Sequence, residues 1–341
     1  MGDSIRERAR ALMDGKAKPP GALGSLEAWS VQLAILQNTL APKIATGGLL
    51  IFAGSHGVTD EKVSPYPSSV TGAICKCIRN GGAAGSVIAR SVGVSVEVHD
   101  MGVATGTANM TKEAAMTPEM LEGAMQAGRA AVRGLQERLG DEAALMLGEV
   151  GIGNTTAAAA LLSAFTGTSP ERTCGRGTGL GDEGVAHKAR VVGAALELHA
   201  AVIEHHREEP KRVLSALGGL EIAAMVGAIL QAFEQRMPVL LDGFTVSVAG
   251  LVATRIHPPC ALSLFLSTQS AELGASLAWT EIAQTVHSIT MCGDLGTGGR
   301  PVLDMGLRLG EGTGAVLAFP ILKAAADVLS HMISLNAALE E

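Results

Sequence analysis

The amino-acid sequence predicts an α/β protein: a Rossmann-like, mostly parallel sheet flanked by helices, with a small helical domain built from both chain termini. Three observations support this fold class. Short apolar runs end in glycine-bearing turns and are followed by helical patterns, as in parallel sheets whose strands alternate with helices. The 341 residues include 43 glycines without a collagen period, which suits many tight strand-to-helix turns. Both ends of the chain have helical patterns.

Five apolar runs are predicted to be strands, each ending in a turn that contains glycine. They are GGLLIFAG (47–54), VSVEVHDMG (94–102), AALMLGEVGIG (143–153), VLSALGGLEIAA (213–224) and PVLLDGF (238–244). Ligands bind at the carboxyl ends of the strands in an open parallel sheet, so the chemistry is expected in the loops that follow these runs. Those loops are residues 54–72, 101–107, 149–156, 216–221 and 242–245.

The remaining segments are predicted to be mainly helical. The clearest helices cover 112–139, 154–166, 183–207, 219–235 and 271–288. Residues 1–40 are helical with an interruption at KPPGALGSLE, and 314–340 are helical again. We therefore expect a large parallel-sheet domain over residues 41–305 that binds nucleotide and base, and a small helical domain formed by 1–40 together with 306–341.

Composition and charge restrict the class of protein. Apolar residues make up 47% and charged residues 17%, so a large core can be buried. The net charge of −7 and the 3% of aromatic residues argue against binding to nucleic acid or to an anionic membrane. Five scattered cysteines without zinc spacing indicate a reducing compartment. With neither a signal peptide nor a membrane-length apolar run, the sequence predicts a cytoplasmic protein without a bound metal.

The loop GEVGIGNTT (148–156) is the first candidate ligand site. Two glycines let the backbone approach a ligand, and two polar residues are candidates to cap the next helix: Gly151, Gly153, Asn154 and Thr155. The first N–H groups of such a helix bind an anion such as phosphate. An ordinary glycine-rich turn would have the same pattern. Glu149 favours the interpretation as a ligand site, because a carboxylate beside such a loop is not expected to serve packing alone.

A second glycine-rich loop, GRGTGLGDEGVAHK (175–188), also precedes a helix. Arg176 and Lys188 are its candidate phosphate partners. Residues 179–184 satisfy the dinucleotide pattern G-x-G-x-x-G. We reject that interpretation, because the preceding SPERTC is not a strand and the pattern requires strand, turn and helix together.

The segment RLGEGTGA (308–315) places Glu311 between two glycines and directly before an apolar helix. The alternative is a solvated loop carboxylate. Flanking glycines bring backbone close to the carboxylate, which can raise its pKa and suit it to act as a general base. His56 in AGSHGV is equally compatible with a structural and a catalytic role. The residues alone thus predict an α/β enzyme that handles a small phosphorylated ligand with a carboxylate base.

Taken together, seven segments resemble the nicotinate-nucleotide:dimethylbenzimidazole phosphoribosyltransferases of cobamide lower-ligand synthesis. They are KPPGALGSLE (18–27), HGVTDEKVSPYPSSVT (56–71), GEVGIGNTT (148–156), the GRGTGL segment with DEG and Lys (175–188), GGLEIAAM (218–225), LLDGF (240–244) and LDMGLRLGEGTGA (303–315). The segments occur in the family's order and cover nearly the whole chain, which makes the resemblance specific.

The resemblance implies a reaction and an assembly. Nicotinate mononucleotide donates its 5-phosphoribosyl group to a nitrogen of an aromatic base, the sugar inverts at C1′, and nicotinate is released. The reaction needs neither a metal nor another cofactor, because the pyridinium is already a good leaving group and the enzyme mainly positions the donor and deprotonates the acceptor. The family's proteins are homodimers, so the expected partners are small molecules and a second copy of the chain.

The resemblance also implies roles for individual residues. Glu311 matches the catalytic glutamate that deprotonates the base. Glu149 is expected beside the ribose and nicotinate. The residues expected to hold the phosphoribosyl group are Gly151, Gly153, Asn154, Thr155, Gly177 and Lys188, and those expected at the base pocket are Ser64 and Gly72.

Three positions depart from the family's pattern. Ser55 and Gly181 stand where the family has aspartate, and Gly72 stands where a glutamine often lines the base pocket. A glycine opens space and removes a hydrogen-bonding amide, so a broad range of acceptor bases is expected. Loss of the carboxylate at position 55 is expected to change how a loop is anchored.

Two alternatives remain open. One is a relative that activates phenols or purines, as some family members do in heterodimers with a paralogue. The other is a non-catalytic paralogue that binds nucleotide and supports a partner subunit. Retention of Glu311 and of both glycine-rich loops argues against the second alternative.

Overall fold

A computed structural model describes residues 4–290 and 300–340, and its centre is a five-stranded parallel sheet. The strands are β1 (Thr46–Ala53), β2 (Ser95–Asp100), β3 (Ala143–Val150), β4 (Val239–Leu241) and β5 (Leu264–Leu266). The order across the sheet is β2-β1-β3-β4-β5, and every neighbouring pair is parallel. The α/β fold class expected from the sequence is confirmed.

Helices cover both faces of the sheet. They are α1 (Ile5–Asp14), α2 (Ser25–Gln37), α3 (Ser69–Arg79), α4 (Ala84–Ser91), α5 (Pro118–Leu139), α6 (Asn154–Thr166), α7 (Pro170–Thr173), α8 (Asp182–Leu198), α9 (Ala200–Ile203), α10 (Pro210–Leu217), α11 (Leu220–Glu234), α12 (Phe244–Ile256), α13 (Ala275–Thr290), α14 (Thr313–His331) and α15 (Leu335–Glu340). Short 3₁₀ turns cover Gly57–Glu61 and Pro258–Ser263.

The central strands are buried on both faces, as parallel strands require. Strand β1 is buried from its second residue onward and β3 over its first six residues, so both are continuous apolar runs. The chain leaves β1 toward β2 at one edge and then returns to β3 on the other side of β1. Such a reversal of strand order opens a crevice at the carboxyl ends, where open α/β sheets bind ligands.

The prediction of a strand in residues 213–224 is wrong. This segment forms the end of α10 and the start of α11, which meet at Gly218 and Gly219. Helix α11 is buried on nearly every side, so its apolar run lacks the one-sided pattern that distinguishes a helix from a buried strand. Strand β5 is only three residues long, which is too short for a periodic signal, and no strand is expected there from the sequence.

Helices α5 and α11 pack at unusually close range through glycines. A Cβ atom on Gly128 of α5 would lie 1.8 Å from the carbonyl oxygen of Ala224. A Cβ atom on Gly227 of α11 would lie 2.0 Å from the carbonyl oxygen of Met125. The two backbones therefore touch, which is possible only without side chains at these crossings.

The two ends of the chain meet on the opposite face of the sheet. Ala9 and Met13 of α1 pack with residues of α2 and with Leu329 of α14. Trp29 of α2 also contacts Phe265 of β5 edge-on, with ring centroids 5.4 Å apart. Since α2 and α14 share one apolar cluster with the sheet, the division into residues 41–305 and a terminal helical domain stays a prediction.

Helix α14 has 19 residues and is apolar and long enough to cross a membrane by length and composition. Within its apolar window, 56% of the residues are buried inside the protein. A core helix of a soluble protein passes the same test, and α14 contributes Phe319 and Leu322 to the cluster beneath the sheet. Lys323 and Asp327 interrupt the run, which is why the sequence shows no uninterrupted membrane-length segment there.

Candidate active site

A cavity of about 480 Å³ lies at the carboxyl ends of β3, β4 and β5. Its walls come from α3, the turn after β3, the loops that follow β4 and β5, the second glycine-rich loop and the turn before α14. This volume is in the range of small-molecule sites. The location agrees with the sequence expectation for loops 54–72, 149–156 and 242–245, whereas loops 101–107 and 216–221 contribute no residue to the cavity wall.

The first glycine-rich loop forms one end of the cavity. Gly153 is the N-cap of α6, with φ of +98°, and no side chain in the described part of the chain caps this helix. The candidate caps are directed elsewhere: the amide of Asn154 donates to Oε2 of Glu149, and the hydroxyl of Thr155 accepts from Lys188. The capping role expected for Asn154 or Thr155 is therefore wrong. The result leaves the positive end of α6 open toward an anion.

Gly151, Asn154 and Thr155 line the cavity, but Gly153 lies behind it. A Cβ atom at Gly153 would come within 3.0 Å of the Cβ of His56 and of Cγ2 of Thr59. The turn and its packing therefore require a glycine at position 153, and the role expected for Gly153 in holding the phosphoribosyl group stays a prediction.

Lys188 is buried directly behind Thr155. Its Nζ donates to Oγ1 of Thr155 at 2.7 Å and to the carbonyl of Gly175 at 3.5 Å. Burial lowers the pKa of Lys188, while Glu272 and Cys174 act in the opposite direction. Thr155 lines the cavity, but Lys188 does not. Lys188 instead orients the hydroxyl of Thr155 through this hydrogen bond.

The second glycine-rich loop reaches the cavity through Gly177 and Thr178. The backbone N–H of Gly177 donates to Oε1 of Glu272 at 2.7 Å. Arg176 instead pairs with Asp182 and lines a neighbouring cavity. The segment SPERTC contains α7 and no strand, which supports rejection of the dinucleotide pattern.

Glu311 lines the cavity from a turn with unusual backbone geometry. Its φ is +58°, between Gly310 at +85° and Gly312 at +76°. Left-handed backbone costs an ordinary residue roughly 1–2 kcal/mol, and such strain concentrates at functional sites. Oε2 of Glu311 accepts a hydrogen bond from the N–H of Gly85 at 3.1 Å, and the residue is 8% exposed.

Three carboxyl groups, those of Glu149, Asp242 and Glu311, line this part of the cavity, and a fourth, that of Glu221, lies outside its wall. Burial raises the pKa of Glu149 from 4.5 to about 8, with further contributions from Glu221, Asp242 and Glu311. Burial, together with Glu311, raises the pKa of Asp242 from 3.8 to about 7, against hydrogen bonds from backbone N–H groups. Desolvation and like charges both disfavour ionisation. The site is therefore poised to exchange protons near neutral pH.

His56 does not reach the cavity. Its Nε2 lies 2.7 Å from Oε1 of Glu221, and both side chains are buried. Neither residue is part of the cavity wall. The pair lies beneath the site, where Glu221 contributes to the raised pKa of Glu149.

The apolar part of the wall comes from α3 and from the two loops beside it. Val70 and Ile74 of α3 line the cavity, four residues apart on one helix face. Tyr66 and Leu309 lie at its mouth and are 51% and 58% exposed. Together with Val70 and Ile74, these two side chains make this part of the wall apolar.

Gly72 does not line the cavity, and its expected place in the base pocket stays a prediction. It lies about 200° around α3 from Val70, since each helical residue advances the chain by about 100°. A Cβ atom on Gly72 would instead lie 3.6 Å from Cγ1 of Val103. Ser64 stands outside the cavity wall, and its hydroxyl lies 3.1 Å from Oγ1 of Thr178.

Ser55 anchors a neighbouring loop. Its hydroxyl donates to the carbonyl of Val103 at 2.8 Å, and its own carbonyl accepts from the N–H of Thr107. The contact agrees with the anchoring role expected at this departure from the family's pattern.

Several wall residues are not anticipated from the sequence. They are Ile74, Asp242, Thr268, Ser270, Glu272, Arg308 and Leu309. Asp242 falls within the loop expected after PVLLDGF, and Arg308 stands in the segment that contains Glu311. Three of them follow β5: Thr268, Ser270 and Glu272. Ligands bind at the carboxyl ends of the strands in an open parallel sheet, so a prediction of β5 would also have predicted these residues.

One cavity combines the N-terminus of α6, a carboxylate on a turn with left-handed backbone and an apolar wall. This combination is typical of an α/β enzyme that acts on a nucleotide. The family model described as "Phosphoribosyltransferase" matches residues 1–339. The nicotinate-nucleotide–dimethylbenzimidazole phosphoribosyltransferase of Pseudomonas putida is 40% identical over 97% of this chain and 92% of that protein. The enzyme of the same name from Geobacter sp. is 36% identical over 98% of this chain and 95% of that protein.

A solved structure is also similar over its full length. The nicotinate-nucleotide–dimethylbenzimidazole phosphoribosyltransferase from Thermus thermophilus has a TM-score of 0.86 and 37% identity, covering 100% of this chain and 99% of that one. The chain therefore belongs to the nicotinate-nucleotide–dimethylbenzimidazole phosphoribosyltransferase family.

Proposed function

We propose that this protein transfers the 5-phosphoribosyl group of nicotinate mononucleotide to a nitrogen of 5,6-dimethylbenzimidazole or a related aromatic base. The products are nicotinate and a nucleotide of the α-ribazole-5′-phosphate type, which supplies the lower ligand of cobalamin and related cobamides. Relatives that carry the name of this activity match nearly the whole chain.

One observation carries the proposal: a single cavity contains both an anion-binding end and a carboxylate suited to act as a base. The N-terminus of α6, where Gly153 is the N-cap, is the proposed anion-binding end. Glu311 lines the same cavity. Donor phosphate and acceptor base can therefore be held at the same time, as a direct transfer between them requires.

Glu311 is the proposed general base. When one ring nitrogen of the acceptor attacks C1′, the bond from C1′ to the nicotinate nitrogen breaks. The proton on the other ring nitrogen then passes to the Glu311 carboxylate. Because the acceptor enters opposite the leaving group, a β-nucleotide gives an α-nucleotide.

The neighbouring carboxyl groups favour the charge that develops on the donor. The pyridinium ring of the donor and the sugar ring in the transition state both carry positive charge. Glu149 and Glu311 line the cavity, and oriented negative charge stabilises a cationic transition state. We place Glu149 beside the ribose and nicotinate, where a cationic ring would favour its ionised form.

The phosphate is placed at the opposite end. The backbone N–H groups around Gly151 and at the start of α6 are the proposed donors, with the Thr155 hydroxyl oriented by Lys188. Arg308 lines both this cavity and its neighbour, and adds positive charge near the loop at Gly177. A phosphate is stabilised by such N–H groups and by a guanidinium.

The aromatic base is placed against the apolar wall. Val70, Ile74 and Val150 would pack against its ring, and Tyr66 and Leu309 would be covered by it. Apolar contacts discriminate weakly between bases of similar shape, by about 1–3 kcal/mol per methylene. The range of accepted bases is therefore expected to be broad.

We further infer a homodimer that works in the cytoplasm, as the family resemblance implies. In the described part of the chain, four cysteines are free, which suits a reducing compartment. Light scattering on the purified protein checks the assembly. A dimer has twice the 34.8 kDa mass of the chain, and a mass equal to one chain would contradict it.

The activity is tested by incubating purified protein with nicotinate mononucleotide and one base from a panel of benzimidazoles, purines and phenols. We expect nicotinate to be released in step with a new nucleotide when a benzimidazole is present. Preference for phenols or purines would favour the first alternative. Nucleotide binding without turnover on any base would identify a non-catalytic paralogue.

A further inference from the structure

Asp242 follows β4 directly, and its carboxyl group caps a helix far away in the sequence. Oδ1 of Asp242 accepts a hydrogen bond from the N–H of Gly314 at 2.9 Å. The N–H groups of Gly312 and Ala315 also donate to this carboxyl group. The N-cap of α14 is Gly312, which offers no side chain of its own. Asp242 therefore satisfies the free N–H groups with which a helix begins.

The capped helix begins immediately after Glu311. The turn at Gly310, Glu311 and Gly312 has three consecutive positive φ angles. Backbone of this kind persists only where surrounding contacts hold it. The Thr313 hydroxyl donates to the carbonyl of Gly310 within the turn, and Asp242 links the start of α14 to the end of β4.

The surroundings of Asp242 suit this role. The residue is 2% exposed, and a carboxyl group at a helix N-terminus interacts favourably with the helix dipole. Its Oδ2 has no hydrogen-bond partner among the described residues. Glu311 is the charged neighbour that acts on Asp242, and Asp242 in turn acts on Glu149.

We propose that Asp242 is a positioning residue: by capping α14 from the end of β4, it holds the carboxylate of Glu311 where that group accepts the proton. The inference rests on the proposed function, in which Glu311 is the base. It goes beyond that function because it assigns the geometry of the base to a residue 69 positions away that need not touch either substrate.

The test measures kcat and KM for both substrates in Asp242→Ala and Asp242→Asn. Displacement of a catalytic group by about 1 Å costs about a hundredfold, so Asp242→Ala is expected to lower kcat by tenfold to a hundredfold and to change either KM less than about threefold. Asp242→Asn retains an acceptor oxygen for Gly314, and is expected to recover kcat to within about fivefold of the wild type.

A matched control and a double-mutant cycle make the test specific. Thr117 caps α5 by accepting from the N–H of Met120, far from the cavity. Thr117→Ala also removes a cap and is expected to leave kcat unchanged. On a Glu311→Gln background, Asp242→Ala is expected to cost less than about twofold, because the group that it positions is already absent.

Two results would overturn the inference while the transferase activity stands. One is an Asp242→Ala enzyme with wild-type kcat. The other is a large KM increase that persists in the Glu311→Gln background, which would indicate direct substrate contact through Oδ2. A wild type without turnover in the same assay would instead contradict the proposed function. If Asp242→Ala does not fold, Asp242→Asn still tests the inference: because it retains the acceptor for the N–H of Gly314, a fall in kcat of much more than about fivefold would overturn it.

Discussion

At the scale of single residues, Glu311 has the most specific role. Glu311→Gln keeps the size of the side chain and the acceptor for the N–H of Gly85, but cannot take up a proton. We expect turnover to fall about 10²–10⁴-fold with nearly unchanged nucleotide binding, the usual contribution of general acid–base catalysis. Nicotinate release measures turnover, and titration with nicotinate mononucleotide measures binding. Turnover at the wild-type rate would exclude Glu311 as the base.

Lys188 acts one step further from the ligand. Lys188→Ala removes the cation that orients the Thr155 hydroxyl at 2.7 Å. Charge-assisted contacts of this kind are worth roughly 1.5–3 kcal/mol, so the KM for the donor is expected to rise by about tenfold or more, and the KM for the base to change little. Lys43→Ala removes an exposed lysine that pairs with Glu142 and should alter neither constant. An unchanged donor KM in Lys188→Ala would remove Lys188 from the site.

Two residues of α3 differ in their position relative to the apolar wall proposed for the aromatic base. Ile74 lines the cavity, whereas Gly72 lies on another face of α3. Ile74→Ala is expected to lower kcat/KM for dimethylbenzimidazole by about tenfold to a hundredfold, since several apolar contacts with the base are lost. Competition between two bases in one tube measures the preference. Gly72→Gln is the control on the same helix, and a changed preference there would support the interpretation that places Gly72 in the pocket.

At the scale of helices and strands, the contact between α5 and α11 depends on a missing side chain. Gly128→Ala would place a Cβ atom 1.8 Å from the Ala224 carbonyl oxygen, so the helices must separate. Overpacking of this kind costs about 1–3 kcal/mol of the free energy of unfolding, and occasionally more. Gly123 lies exposed on α5 with open space around it. Gly123→Ala should stabilise the protein by roughly 0.5–1 kcal/mol through helix propensity.

Chemical denaturation of the two variants measures both effects. The opposite signs make the comparison robust, because each variant adds the same methyl group to the same helix. Equal effects would mean that the helices are not in contact at Gly128.

At the scale of the whole molecule, the raised pKa values make stability depend on pH. The pKa of Glu149 is about 8 in the folded protein against an ordinary 4.5, and that of Asp242 about 7 against 3.8. A carboxyl group with a raised folded pKa contributes stability that is present below its unfolded pKa and lost as pH rises through its folded pKa. These two groups should therefore reduce the free energy of unfolding between about pH 4 and pH 8.

Thermal unfolding without substrates, recorded from about pH 5 to about pH 8, tests this expectation. Glu149→Gln removes one titration, so its Tm should fall less across this range than that of the wild type. Glu113 is exposed, and Glu113→Gln should leave the pH dependence as it is in the wild type. A Glu149→Gln protein with the wild-type dependence would show that Glu149 titrates normally.

Local sequence patterns predict much of this site. The glycines around Glu311 indicate an unusual turn, and the turn indeed has positive φ angles at all three residues. The rule of carboxyl ends places Glu149 and Gly151 beside the ligand cavity, where the structure has them. Both inferences succeed because backbone freedom and strand order depend on residues close together in the chain.

Other parts of the site could not be predicted. The face of α3 that meets the cavity depends on how the helix rotates against β3. The family resemblance points to Gly72, whereas Ile74 and Val70 line the wall. The fully buried α11 has no periodic pattern to distinguish it from a strand. Strand β5 is too short to be recognised, and the cavity residues that follow it, such as Glu272, have no other local signal.

The sequence by itself determined the α/β class, the glycine-bearing turns, the catalytic carboxylate candidate and the family, because these depend on residue types and on their local order. The tertiary structure alone decided which side chains share the cavity and what electrostatic environment they have. Asp242 caps α14 across 72 residues of chain, and Glu149 acquires its raised pKa from burial and from three carboxyl groups on separate segments. Neither contact has a local signature, since each arises only when the carboxyl ends of the strands meet at one edge of the sheet.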